Sequence, residues 1–274
     1  MNVMKGMAVS GMCLMATCRA GAADAPGDPV AVTEAGVYRT PSGESLNYRL
    51  YKPPQMKKGR RYPLILFLHG AGERGNNNTS QLVHGIRSII AASQDQNQPC
   101  FIVAPQCPAQ MQWVNTPWSD PSHTMLASPS VPMTLSLELL KRQMKELPVD
   151  PKRVYVTGVS MGGYGTWDAI QRHPELFAAA VPVCGGADTA LAPGIKDVPV
   201  WVFHGAEDKA VPTSRARDMV EALKKAGGNP RYTEYPGVGH DSWTRAYADP
   251  ELYRWLFAQK QKTSAGFFGR MLHR

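Results

Sequence analysis

Apolar runs of strand length recur along the chain at Leu64-Ile65-Leu66-Phe67-Leu68, Phe101 to Ala104, Val154 to Thr157, Ala179 to Val183 and Val200 to Phe203. Short runs without polar alternation are the mark of strands buried on both faces. The segment Leu46 to Tyr51 alternates and reads as an earlier strand, and Arg231 to Tyr235 as a late one. Helical spacing fills the intervals. Leu137, Leu140, Met144 and Leu147 repeat at three and four residues, as do Met219, Val220, Leu223 and Ala226 ahead of Gly227-Gly228, and Gly163 to His173 is helical in pattern. Strands alternating with helices predict an α/β fold, a mostly parallel central sheet with helices on both faces. Between Val183 and Val200 too few residues remain for a large helical cap.

Length and composition narrow this further. The 274 residues suit one α/β domain, and 43% hydrophobic residues exclude wholesale disorder. No window approaches the roughly 20 apolar residues of a bilayer span, so stable membrane insertion is not expected. Residues 1–23 read as an export signal: Lys5, an apolar stretch from Met7 to Ala16, then small residues at Ala20-Gly21-Ala22 or Gly21-Ala22-Ala23. That implies a secreted or periplasmic protein. Cys18, behind Leu14-Met15-Ala16-Thr17, offers a lipoprotein alternative that Thr17 disfavours. A linker over 24–36, an α/β domain over 37–260 and a basic tail over 261–274 complete the expected organisation.

The charge balance, 30 Lys plus Arg against 22 Asp plus Glu, is mildly basic. Its pairs (Lys57, Lys58, Arg60, Arg61; Lys141, Arg142; Lys224, Lys225) are scattered and read as solvated faces. No aromatic residues interleave with a basic stripe, so nucleic acid is not an expected partner. Beyond the signal lie Cys100, Cys107 and Cys184, which allow at most one disulfide, Cys100 with Cys107, or else three buried thiols.

The sharpest chemical signal is Gly158-Val159-Ser160-Met161-Gly162, between a predicted strand and a predicted helix. A nucleophilic serine must project from a strained strand-to-helix turn, and the flanking glycines let the backbone close that tightly. A serine also needs a base and an acid. Asp208 follows the strand Val200 to Phe203, and His240 sits in the glycine-flexed loop Pro236-Gly237-Val238-Gly239 after the strand Arg231 to Tyr235. The order Ser160, Asp208, His240 places all three at successive carboxyl edges of the sheet. Oxyanion donors are expected from the N–H of Met161 and from the loop His69-Gly70-Ala71-Gly72, with Ala71 preferred over Gly70 or Gly72.

Rival readings attach to the same residues. Gly70-Ala71-Gly72-Glu73-Arg74-Gly75 matches a dinucleotide fingerprint, but Asn76-Asn77-Asn78-Thr79 is turn-like where a helix should run. Glu207 could replace Asp208 as the acid. His69 and His204 read as structural residues at strand ends. His84, His123, His173 and His273 lack ligand-spaced partners, so neither a catalytic metal nor any other cofactor is expected. Trp113, Trp118 and Trp243 could form an aromatic platform, with core packing as the alternative; Trp243 and Trp118 are the candidate substrate contacts.

With these residues in view, the chain resembles the exported α/β-hydrolase esterases related to feruloyl and acetylxylan esterases and to polyhydroxybutyrate depolymerases, often grouped with prolyl-oligopeptidase-type hydrolases. The resemblance runs from Tyr62 to Phe257 through LHGAGERG (68–75), APQCP (104–108), GVSMGGYGTW (158–167), VFHGAEDKAVP (202–212) and YPGVGHDSW (235–243). It implies acyl transfer through Ser160, with His240 as base, Asp208 orienting it, and amides near Ala71 and of Met161 holding the oxyanion. The expected substrate is a small or polymer-linked ester with a short or aromatic acyl group. A serine peptidase on the same triad and a noncatalytic binding protein of the same fold are the alternatives. The stretch Ala109 to Pro132, with Trp113 and Trp118, is longer and more irregular than the family leads one to expect, and is read as shaping the pocket.

Overall fold

The computed structural model describes residues 27–261; the stretch 1–23 read as an export signal and nearly all of the tail at 261–274 lie outside them. Eight strands form one sheet: β1 (Thr33–Arg39), β2 (Ser45–Tyr51), β3 (Tyr62–Leu68), β4 (Phe101–Pro105), β5 (Val149–Val159), β6 (Ala179–Val183), β7 (Trp201–Gly205) and β8 (Arg231–Tyr235). Their order is β1-β2-β4-β3-β5-β6-β7-β8. From β4 to β8 the neighbours are parallel, while β2 runs antiparallel to both β1 and β4.

The helices are α1 (Ile86–Asp95), α2 (Val131–Glu146), α3 (Met161–Arg172), α4 (Ala192–Ile195), α5 (Ser214–Lys225), α6 (Ser242–Ala248) and α7 (Pro250–Ala258). Every residue of β3 is buried, and its side chains alternate between two cores. Leu64, Leu66 and Leu68 belong to one core with residues of α2, α3 and α5, such as Leu140, Trp167 and Met219. Ile65 and Phe67 belong to a second core with Ile89 of α1, Tyr247 of α6 and Leu256 of α7. Both sheet faces are thus covered. Between β6 and β7 stand only a single 3-10 turn and the four-residue α4, so no cap domain rises there. No described helix is long and apolar enough to cross a membrane.

Three features depart from the sequence reading. Strand β1 begins at Thr33, inside the stretch read as a linker; its pairing with β2 is complete, but of its seven residues only Thr33 is buried, so it carries no apolar pattern. Strand β5 starts at Val149, upstream of the predicted Val154, because the pairing shifts register between Tyr62 and Leu64 and so accommodates Pro151. Cys100, Cys107 and Cys184 are free and buried, so no disulfide joins Cys100 to Cys107. Burial pushes the thiols of Cys100 and Cys107 up to about 12, which leaves both unreactive.

Candidate active site

Ser160 stands between the end of β5 and the first residue of α3 with φ 54° and ψ −116°. A non-glycine residue in that region costs about 1 to 3 kcal/mol and must be held there by its surroundings. Its N–H donates to the Val183 carbonyl at 2.9 Å, and its own carbonyl accepts from the Tyr164 N–H at 3.1 Å. The turn is wedged between β3 and β6. A Cβ on Gly158 would lie 2.5 Å from the carbonyl oxygens of both Gly162 and Leu68. One on Gly162 would overlap the Leu68 carbonyl, and one on Gly163 the Val183 carbonyl.

The Ser160 hydroxyl lies 2.8 Å from His240 Nε2, and His240 Nδ1 lies 2.7 Å from Asp208 Oδ2. The other carboxylate oxygen, Oδ1, accepts the N–H groups of Ala210 and Val211, each at 2.9 Å. Buried His204 brings its Nε2 to 3.2 Å from Asp208 Oδ2 and 3.1 Å from the Val211 carbonyl. Burial pushes the Asp208 carboxyl up, but hydrogen bonds from His204, His240 and the Val211 N–H outweigh it and hold the group well below the usual carboxylate range. Glu207, the alternative acid, is exposed, and its N–H donates to the Val238 carbonyl. The acid and histidine loops interlock: Ala206 N–H donates to the Tyr235 carbonyl at 3.0 Å, and a Cβ on Gly205 would strike the carbonyls of Val238 and Gly239.

The loop after β3 reaches the same place. Gly70 is extended, and a Cβ on it would sit 3.5 Å from Val159 Cγ2, beside the serine turn. Ala71 heads a 3-10 turn, Ala71–Glu73, as Met161 heads α3, so neither N–H has an acceptor within its own turn. The dinucleotide reading fails here. A phosphate site needs a helix to open inside the glycine motif, whereas α1 begins only at Ile86.

His69 fixes this loop. Its Nδ1 donates to the Gly70 carbonyl at 2.6 Å and its Nε2 accepts the Cys107 N–H at 2.9 Å, a pattern open only to neutral imidazole. Burial pushes His69 down to about 4, against a weaker opposing effect of the Gly70 carbonyl and with help from Arg74. An unfolded histidine titrates near 6.5, so between pH 6.5 and about 4 the unfolded chain takes up a proton that the folded chain refuses. Stability from this source is complete above that window and falls as pH drops through it, by about 3 kcal/mol at roughly 1.4 kcal/mol per pH unit. Asp208 acts in the same direction only below about pH 4, where an unfolded carboxylate protonates. Urea unfolding of the wild type and His69→Asn between pH 7 and pH 4.5 should therefore show a steeper loss in the wild type.

The rim is partly aromatic. The Trp243 ring lies 5.4 Å from His240 and 5.2 Å from His84, and His84 Nε2 is 3.6 Å from Glu73 Oε1. Half-buried Trp118 lies under Arg74, 5.7 Å from its guanidinium carbon. Trp113 is a core residue instead: it is buried, and its Nε1 donates to the His69 carbonyl at 3.0 Å. The pairing of His84 with Glu73 is not visible in the sequence, because eleven positions and an irregular loop separate them.

The stretch Ala109 to Pro132 contains no helix or strand before α2 begins at Val131, but it is tied to the body throughout. Within the segment Ser130 Oγ donates to the Trp113 carbonyl at 2.8 Å; from the body, Tyr164 Oη donates to the carbonyl of Trp118 at 2.9 Å and Arg215 to that of Asp120 at 3.2 Å. Arg172 donates to the carbonyls of Leu126 and Ala127 at 2.8 and 3.3 Å. Asp188 accepts the Met125 N–H at 2.9 Å.

Among the described residues, one group combines three metal-ligand types, Cys184, Asp208 and His240, with ligand atoms within 4.8 Å of one another. Both ring nitrogens of His240 are already engaged, by Ser160 and Asp208, and burial holds the Cys184 thiol protonated. This donor set fits proton transfer better than metal binding.

A sequence profile of the Dienelactone hydrolase family matches residues 127–261. A probable carboxylesterase, SOBER1-like, from Arabidopsis thaliana is 26% identical over 220 residues, covering 73% of this chain and 80% of that protein. A poly(3-hydroxyalkanoate) depolymerase C from Paucimonas lemoignei is 27% identical over 135 residues, 38% of this chain and 30% of its own. Among solved structures, a thermostable esterase superposes with TM-score 0.77 at 37% identity over 85% of this chain, which spans 64% of that one. A ferulic acid esterase, at 18% identity and TM-score 0.62 over 82% of this chain and 97% of its own, shares the fold.

Proposed function

Because this chain is a carboxylic ester hydrolase of the α/β-hydrolase superfamily, we propose that it works through Ser160, His240 and Asp208. The observation that carries this reading is the continuous line of contacts from the Ser160 hydroxyl through His240 to Asp208, at 2.8 and 2.7 Å. His240 Nε2 takes the hydroxyl proton as Ser160 Oγ attacks the ester carbonyl carbon. The imidazolium is held by ionised Asp208. The carbonyl oxygen gains charge beside the N–H groups of Met161 and Ala71, the protonated histidine returns its proton to the leaving alcohol, and water repeats the sequence to free the acid.

The substrate is a short or aromatic acyl ester carried on a carbohydrate or a polymer, and the enzyme is exported by the signal at 1–23 into the periplasm or the medium. An open site supports the first statement. The β6–β7 connection holds no cap, and side chains of the body grip the 109–132 segment along its length. Hydrolysis of a short-chain ester followed across its solubility limit should show no jump in rate as droplets form; a sharp jump would reveal a lid. A panel of acetyl, butyryl and feruloyl esters with a peptide counterpart tests the acyl preference, and cleavage of the peptide at a comparable kcat/KM would favour a peptidase.

A further inference from the structure

His204 stands near the carboxyl end of β7, wholly buried, and its ring makes polar contacts through one nitrogen. Nε2 lies 3.1 Å from the Val211 carbonyl oxygen and 3.2 Å from Asp208 Oδ2. Both partners are acceptors, so Nε2 carries a hydrogen. Nδ1 is buried and has no hydrogen-bond partner among the described residues. A buried polar atom left unpaired costs folding free energy, and an aromatic ring without nitrogens would fill the same space free of that cost. Packing alone therefore does not explain an imidazole at this position. What the imidazole adds is an N–H beside the Asp208 carboxylate.

The two oxygens of that carboxylate are used differently. Oδ1 is clamped by the N–H groups of Ala210 and Val211, each at 2.9 Å, so the group is aimed without help from His204. Oδ2 stands between two imidazoles, with His240 Nδ1 at 2.7 Å and His204 Nε2 at 3.2 Å. Two donors at one oxygen compete for the same negative charge. The N–H of His204 stabilises that charge and leaves less of it for an imidazolium at His240.

We infer that His204 is a positioning residue for the base: acting through Asp208 Oδ2, it weakens the pull of the carboxylate on His240 and keeps that histidine able to give its proton back to the leaving alcohol. The inference rests on the reading of Ser160, His240 and Asp208 as the triad. A base held too tightly by its carboxylate accepts the serine proton readily and releases it slowly. Burial raises the Asp208 carboxyl, and His204 leads the contacts that lower it, which agrees with this part. The other titratable groups around the two histidines do not supply the same effect. The Cys184 thiol, with its sulfur within 4.8 Å of ligand atoms of both Asp208 and His240, is held protonated by burial. Asp241 and Glu207 are exposed, and Glu234, opposite His204 on β8, pairs with Arg217 at 2.6 Å. Beyond the Trp243 ring, His84 and Glu73 face each other at 3.6 Å.

The pH dependence of kcat/KM on a short-chain nitrophenyl ester, compared among wild type, His204→Phe and His204→Gln, tests this. In His204→Phe the acid limb should move up by roughly half a pH unit to one unit, a threefold to tenfold rise in the proton affinity of His240. KM should stay unchanged, because a wholly buried ring does not meet the substrate. His204→Gln, which returns an N–H donor at the position of Nε2, should bring the limb back. A merely structural role would lower the yield of folded enzyme and leave the limb in place. Should His204→Phe misfold, nitrogen NMR of wild-type protein labelled at histidine reads the premise directly, and hydrogen is expected on His204 Nε2. A limb that stays or moves down in folded His204→Phe, a His204→Gln limb displaced as far, or a His204 Nε2 without hydrogen would each overturn the proposal. Inactive His240→Ala beside an unmoved His204→Phe limb overturns this proposal alone, whereas folded His240→Ala with wild-type turnover overturns the triad as well.

Discussion

Replacing Ser160 with alanine is expected to lower kcat/KM on a short-chain ester by on the order of 10⁴-fold or more while the protein stays folded. The size follows from chemistry. Without the hydroxyl no acyl-enzyme forms, and what remains is the binding and oxyanion contribution of a site whose nucleophile is gone. The fold survives because the Ser160 backbone hydrogen bonds do not involve the side chain. Alanine keeps the Cβ that the positive-φ turn already accommodates. Initial rates with a nitrophenyl acetate, alongside fluorophosphonate labelling and circular dichroism, check both halves. Labelling should vanish with the activity. Turnover above about one hundredth of wild type in folded Ser160→Ala protein would remove Ser160 from the mechanism.

The second large effect is on stability and comes from one methyl group. In Gly162→Ala the new Cβ would overlap the carbonyl of Leu68, a backbone atom of the central strand β3. Backbone cannot swing aside as a side chain does, so α3 must lift from the sheet or the serine turn must open. A loss of about 3 kcal/mol or more is expected, with little soluble active enzyme. Gly194→Ala is the control, because nothing lies within 4 Å of a Cβ there and its position in short α4 favours alanine. Urea midpoints of the two variants decide the matter. A Gly162→Ala protein unfolding at the wild-type midpoint would mean that the turn is looser than its contacts indicate.

Burial decides which elements could be read from the chain. Strands β3, β4 and β6 are buried along their whole lengths, so their apolar runs give them away. Ser160, Asp208 and His240 were readable because each sits where a strand hands over to a loop, and that handover is written locally. Strand β1 left no trace, since backbone pairing holds it and most of its side chains face water. The contacts of His84 with Glu73 and of the 109–132 segment with α3 join positions whose proximity exists only after folding. Periodicity carries no information about them.

The way the 109–132 segment is fastened bears on how such a site can change over time. Four of its fastenings are backbone carbonyls, of Trp118, Asp120, Leu126 and Ala127, and their donors all stand on α3 or α5. A carbonyl is the same group whatever side chain its residue bears. The course of the segment is therefore inherited from Tyr164, Arg172 and Arg215, while its own exposed side chains are released from the task of holding it. Substitutions at exposed Met111, Asn115 or Pro117 can alter what the segment presents to its surroundings without altering where it runs. The exposed surface of the segment and its architecture are thus written in different residues, and the first can drift while the second stays fixed.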